Sequence, residues 1–272
     1  EKAIVINPNY VEAHYSIGLT FYDLNQLKDT VNSYVKVLEI KPDFAGMHNN
    51  LGIVYRELGE LNDAVKSYKK ALAINSELIE VHNNLGVTYK DLERFDQALI
   101  CYQNALNINP KYVEALLNTG FIYHKYGQLE KAIKLYMDIL NIKPNYAEAY
   151  NNLGNAMMDL GQLHEAVKNY ERAIIIMPNY SQAYCNQGIA FMALGQNSLA
   201  DKSYKKAISI NPNYAIAHFN RAELFVNLGK LIEIIITFLF EMLPNIIQIL
   251  NPVNILNDII SGITLSIKIV FK

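Results

Sequence analysis

The sequence predicts an all-α fold, an α-solenoid of stacked antiparallel helix pairs, and three in-phase columns carry that prediction. Prolines stand at Pro8, Pro42, Pro110, Pro144, Pro178 and Pro212, separated by 34 residues or a multiple of 34, with Ser76 filling the single gap. Glycines keep the same interval at Gly18, Gly52, Gly86, Gly120, Gly154 and Gly188. Tyrosines do so at Tyr34, Tyr68, Tyr102, Tyr136, Tyr170 and Tyr204, each preceded four residues earlier by Ala64, Ala98, Ala132, Ala166 or Ala200, with Thr30 as the exception.

The elements follow in chain order. Residues 1–10, with Ala3 and Pro8, match the end of a second helix whose first helix is missing. Six complete units occupy 11–44, 45–78, 79–112, 113–146, 147–180 and 181–214, and residues 215–230 supply the first helix of a seventh. In each unit the first half carries a bulky, a small and an aromatic residue on one helical face, as His82, Gly86 and Tyr89 do. The second half repeats the stripe with Ala98, Tyr102 and Ala105. Between the halves a break falls at Gly59, Gly127, Gly161, Gly195 and Gly229, where a left-handed residue can end the first helix. The proline closing each unit cannot continue the second helix and sets the turn into the next one.

In order, these positions resemble the tetratricopeptide repeat: in the third unit they read His82, Leu85, Gly86, Tyr89, Ala98, Tyr102, Ala105 and Pro110. The resemblance covers residues 1 to about 230. It implies a right-handed superhelix whose concave face is lined mainly by the first helices. In the third unit that inward stripe is Glu80, Asn83, Asn84, Val87 and Asp91. The same place in successive units holds Asn50, Asn84, Asn118, Asn152, Asn186 and Asn220, with Ser16 in the first. An amide offers both a donor and an acceptor, so one per unit can pair with the backbone of an extended peptide whatever its side chains. The alternative is that these asparagines satisfy neighbouring groups of the fold itself. Segments such as YAEAYNNLGNAMMDLGQ look most like the repeat arrays of the nucleocytoplasmic O-linked glycosyltransferases, the O-GlcNAc transferase and Spindly type. In that family the inner asparagines hold substrate polypeptide while a separate domain transfers the sugar; no such domain is present in this sequence.

Function is therefore expected to be protein binding, by a scaffold or adaptor that takes extended segments. A substrate-recognition fragment of a glycosyltransferase-like enzyme and a membrane-associated array are the alternatives. Glu12, Glu80, Glu114 and Glu148 near the start of the first helices, and Asp23, Glu57, Asp91 and Asp159 near their ends, suggest neutral to basic partners, unless they only wet the surface. Chaperone tails ending in EEVD are disfavoured, because Asn83, Asn84, Leu117 and Asn118 stand where clamping lysines and arginines would be. A net charge of −2 argues against nucleic acid. His14, His48, His82 and His218 recur once per unit and diverge, which suits packing rather than a metal site. Cys185 beside Asn186 has no activating partner in the sequence, and no catalytic or cofactor motif is found. Few cysteines and no leader point to an intracellular chain, cytoplasmic or nuclear; the start at Glu1 suggests a fragment. Open repeat ends leave self-association available. Residues 231–272 hold 25 apolar residues among 42, and three readings stay open for them: an apolar cap, translated non-coding sequence, or a membrane anchor.

Overall fold

A computed structural model describes residues 6–227. Among them are thirteen α-helices and no strand. They form six antiparallel pairs: α1 (Val11–Asp23) with α2 (Leu27–Ile40), α3 (Ala45–Glu57) with α4 (Leu61–Ile74), and α5 (Ile79–Asp91) with α6 (Phe95–Ile108). The series continues with α7 (Val113–Lys125) and α8 (Leu129–Ile142), α9 (Ala147–Asp159) and α10 (Leu163–Ile176), and α11 (Ser181–Ala193) and α12 (Asn197–Ile210). Helix α13 (Ala215–Asn227) packs on α12. The expected apolar cap, anchor or translated stretch at 231–272 lies outside the described residues, as do Gly229 and most of the partial unit before Asn7.

Two compact units divide between Asn179 and Tyr180. In the first, each pair packs on the next, and successive first helices also meet directly, α3 with α5, α5 with α7 and α7 with α9. The first helices therefore share one side of this all-α solenoid. The second unit repeats the arrangement on a smaller scale, with α11 meeting both α12 and α13.

Local chemistry explains the helix ends. After α3, Gly59 takes φ 78°. Its N–H donates to the Arg56 carbonyl at 3.0 Å while the Glu60 N–H reaches the Tyr55 carbonyl at 2.8 Å, the pair of bonds that closes a Schellman motif. Where the break lacks glycine, the backbone takes the same turn regardless: Asn25 has φ 57° and Glu93 φ 58°. At the other end of each pair, the residue before proline leaves the helix for extended backbone, as Lys41 does at φ −129°. Asn75 does likewise at φ −142° without a following proline. There the Asn75 side chain accepts the Glu77 N–H at 3.0 Å and holds the turn.

The tyrosine column is the core of each pair. Tyr68, Tyr102, Tyr136, Tyr170 and Tyr204 have no exposed surface, nor do Ala64, Ala98, Ala132, Ala166 and Ala200 beside them. Burying a large apolar side chain contributes about 1.5–3 kcal/mol. Each ring lies against the glycine of the first helix in its own pair: a Cβ placed on Gly52, Gly86, Gly120, Gly154 or Gly188 would sit 2.5–2.6 Å from Cε1 of the facing tyrosine. Thr30 fits the alanine column because its hydroxyl donates to the Gln26 carbonyl at 3.0 Å.

Candidate functional site

In the first unit, Asn50, Asn84, Asn118 and Asn152 project from α3, α5, α7 and α9, and all four are half-buried. In the second unit Asn186 and Asn220, on α11 and α13, are half-buried too. The amides are not isolated. Asn84 Nδ2 donates to Asn49 Oδ1 at 3.2 Å, one helix pair earlier. Asn118 Nδ2 reaches Asn83 Oδ1 at 3.4 Å and its own helix's Glu114 carbonyl at 2.9 Å. Asn152 Oδ1 accepts from Asn151 at 3.3 Å. Asn220 Nδ2 lies 3.7 Å from Cys185 Sγ. Asn50 has Tyr15, not an amide, at the corresponding place one pair earlier.

A second asparagine column, Asn49, Asn83 and Asn151, thus backs the first. Asn83 is 9% exposed and Asn151 fully buried. The doubled Asn in NNLG is its sequence signal: the inward stripe of the third unit holds both Asn83 and Asn84, and the ladder takes one member of each doublet. Cys185 occupies this column in α11. It is fully buried rather than facing outward, and burial pushes its thiol pKa up, so nothing prepares it as a nucleophile.

A further series joins the ends of the first helices. Tyr22 donates to Glu57 Oε1 at 2.6 Å, Arg56 Nε lies 3.7 Å from Asp91 Oδ2, and His124 Nε2 lies 2.7 Å from Asp159 Oδ2. In all three the acid is 35 residues beyond its partner. Three of the acids that suggested a preference for basic partners are therefore engaged within the fold. The bond to Glu57, followed by burial, raises the pKa of the Tyr22 hydroxyl. Glu114 is close to Lys143 Nζ, at 3.9 Å.

The series is interrupted once. Lys90 has Lys125, not an acid, 35 residues on. Its ammonium turns to Asn118 Oδ1 at 2.9 Å and lies 5.4 Å from the centre of the Phe121 ring. Lys125 in turn lies 4.3 Å from the Phe95 ring centre.

The four histidines at the recurring position each bind a turn. Nε2 of His14, His48, His82 and His218 stands 2.8–2.9 Å from the carbonyl oxygen of Pro8, Pro42, Ser76 and Pro212, six residues earlier. Each ring thereby ties the first turn of its helix to the preceding loop. Among the described residues no group of His, Cys, Asp and Glu could hold a metal ion, and no helix is long and apolar enough to cross a membrane.

Family comparison finds the TPR repeat over residues 18–59, 54–93, 122–161, 154–195 and 188–229. The tetratricopeptide repeat is also matched over 79–112 and 101–134. The chain belongs to the tetratricopeptide repeat family. Solved structures agree with the fold. The MamA protein is 27% identical, with TM-score 0.56 over 63% of this chain and 94% of its own. A tetratricopeptide repeat protein from Parabacteroides merdae is 22% identical, with TM-score 0.72 over 81% of this chain and 87% of its own. YrrB, a TPR protein with an unusual peptide-binding site, is also 22% identical, with TM-score 0.53 over 69% of this chain and 97% of its own. A search of the curated proteins gave no match. Tetratricopeptide membership supports a protein-interaction scaffold.

Proposed function

We propose that this tetratricopeptide array is a non-catalytic scaffold that holds extended polypeptide against its first helices, with Asn50, Asn84, Asn118, Asn152, Asn186 and Asn220 pairing to the ligand backbone. One observation carries the reading: the asparagines recur at one half-buried place per pair, and the amides of Asn84, Asn118 and Asn152 are steadied from within the fold. Asn84, held through Nδ2 by Asn49, keeps Oδ1 as an acceptor for a backbone N–H. Asn152, held through Oδ1 by Asn151, keeps its NH2 for a carbonyl. An amide oriented before binding loses less side-chain freedom on binding. The alternative role, satisfying the fold, is combined with the binding role rather than opposed to it.

The test uses the full chain and an immobilised library of extended peptides. Neighbouring helices sit ~8–10 Å apart, so peptides of about twelve residues at ~3.3 Å each span the four asparagines of the first unit. Asn50→Ala combined with Asn152→Ala removes amides that donate no bond to a preceding pair, so the fold should persist by circular dichroism. Binding should fall roughly tenfold across peptides of unrelated sequence, the loss expected of two hydrogen bonds. A double variant that binds the library as the parent does would return the asparagines to a structural role.

A further inference from the structure

At three junctions in the first unit, the end of one first helix donates to an acid on the next: Tyr22 to Glu57, Arg56 to Asp91, His124 to Asp159. The repeat register puts Lys125 in the acid's place opposite Lys90. Neither lysine is paired with a carboxylate among the described residues. Lys90 is satisfied by the neutral oxygen of Asn118, itself a member of the ladder, and both ammonium groups rest near aromatic faces, Phe121 for Lys90 and Phe95 for Lys125. Asp91, next in sequence to Lys90, is engaged by Arg56 from the preceding pair. Lys90 thus brings a cation with no bonded carboxylate to the Asn118 amide of the ladder, and the register position opposite it holds a second lysine.

We infer that the Lys90–Lys125 junction receives one carboxylate side chain, a glutamate or aspartate, of the extended segment held on this face. The carboxylate completes the acid-to-donor pattern that the fold provides at the other three junctions, and it can take a charge-assisted hydrogen bond from Lys90. Phe121, 43% exposed, offers its surface to the carboxylate's methylene stem. Burial lowers the pKa of the Lys90 ammonium, opposed by Asp91 and reinforced by Arg56. The inference rests on the peptide-binding reading above and adds a register to it: a segment otherwise chosen by backbone pairing is fixed in place by one acidic residue.

The decisive variant is Lys125→Glu, which gives Lys90 the acid found at the other junctions and so should leave the fold intact by circular dichroism and thermal melting. Peptides of about twelve residues, amidated at the C-terminus, carry a single Glu moved one position at a time, with a matched Gln set and a Gln set bearing a free C-terminus. The full-length parent should prefer the best Glu peptide over its Gln match by about tenfold, a preference that shrinks as salt is added. In Lys125→Glu the preference should disappear while Gln-peptide binding is unchanged; Lys90→Gln should lose it also. A preference that survives Lys125→Glu, or equal binding of Glu and Gln peptides by the parent, overturns the inference and leaves backbone recognition standing. Tighter binding of only the free-C-terminus set would assign the cations to a terminal carboxylate and likewise overturn it. If the parent binds none of the peptides, the binding reading fails and this inference with it.

Discussion

Gly86 and Tyr102 are fitted so closely that a methyl group on the glycine would lie 2.5 Å from the tyrosine ring. The ring has no exposed surface. Gly86→Ala is therefore expected to destabilise by about 1–3 kcal/mol from overpacking, outweighing the ~1 kcal/mol that alanine gains over glycine inside a helix. Chemical denaturation of parent and variant measures the difference; a stabilised variant would show that the ring yields freely.

Glu93 closes α5 in the left-handed conformation, at φ 58°, where glycine stands at the equivalent breaks after α3, α7, α9 and α11. The left-handed region costs a side-chain-bearing residue roughly 1–2 kcal/mol. Glu93→Gly should raise the melting temperature, with the gain reduced by the extra freedom glycine has in the unfolded chain. An unchanged or lowered melting temperature would refute the strain argument.

Tyr102 and Tyr170 occupy equivalent places but end differently. The Tyr170 hydroxyl donates to Asn155 Oδ1 at 2.8 Å, whereas the buried Tyr102 hydroxyl has no partner among the described residues. Tyr170→Phe should cost about 1 kcal/mol, while Tyr102→Phe should be neutral or stabilising by about the same amount. Urea titrations of the two variants side by side would settle the contrast, and equal losses would contradict it.

The tyrosine column also sets a limit at high pH. Burial raises the Tyr34 pKa from 10.0 to about 12, and raises those of Tyr68, Tyr102, Tyr136 and Tyr170 further. These groups stay protonated in the fold at a pH where the unfolded chain ionises. Their contribution is whole below pH 10.0, the ordinary value, and declines as pH rises through the folded values. Helical circular dichroism and tyrosinate absorbance should change together in a cooperative alkaline step above pH 10.0. Ionisation of all the tyrosines with helicity intact would show that the column is open to solvent.

How much of this was legible depends on how far apart the interacting residues lie. Proline, glycine, alanine and tyrosine columns were visible because packing inside each pair demands the same residue type at the same place, and the fold class followed. The left-handed Glu93 was not visible, since the break there lacks the glycine that marks the others. The asparagine ladder could be placed on a helix face, but its support from Asn49 and Asn83 depends on a bond reaching back one pair. Lys90 escaped notice for a similar reason: within α5 it is one more polar residue, and only comparison across pairs shows that its acid is missing. For the histidines, position suggested packing, and the structure adds the bond to the turn carbonyl. The finer likeness to the O-glycosyltransferase arrays remains a likeness of the NNLG segments.

The acid-to-donor spacing of 35 residues exceeds the repeat interval of 34 by one, so cutting out a whole repeat keeps every surviving bond in register except at the seam. Excising residues 113–146 would bring Asp159 into the place that Lys125 holds and give Lys90 a partner. Excising 79–112 would instead set Arg56 against Lys125. The array is thus editable by the cassette, but the cassettes are not interchangeable: losing one repeat would heal the mismatch, and losing its neighbour would move it.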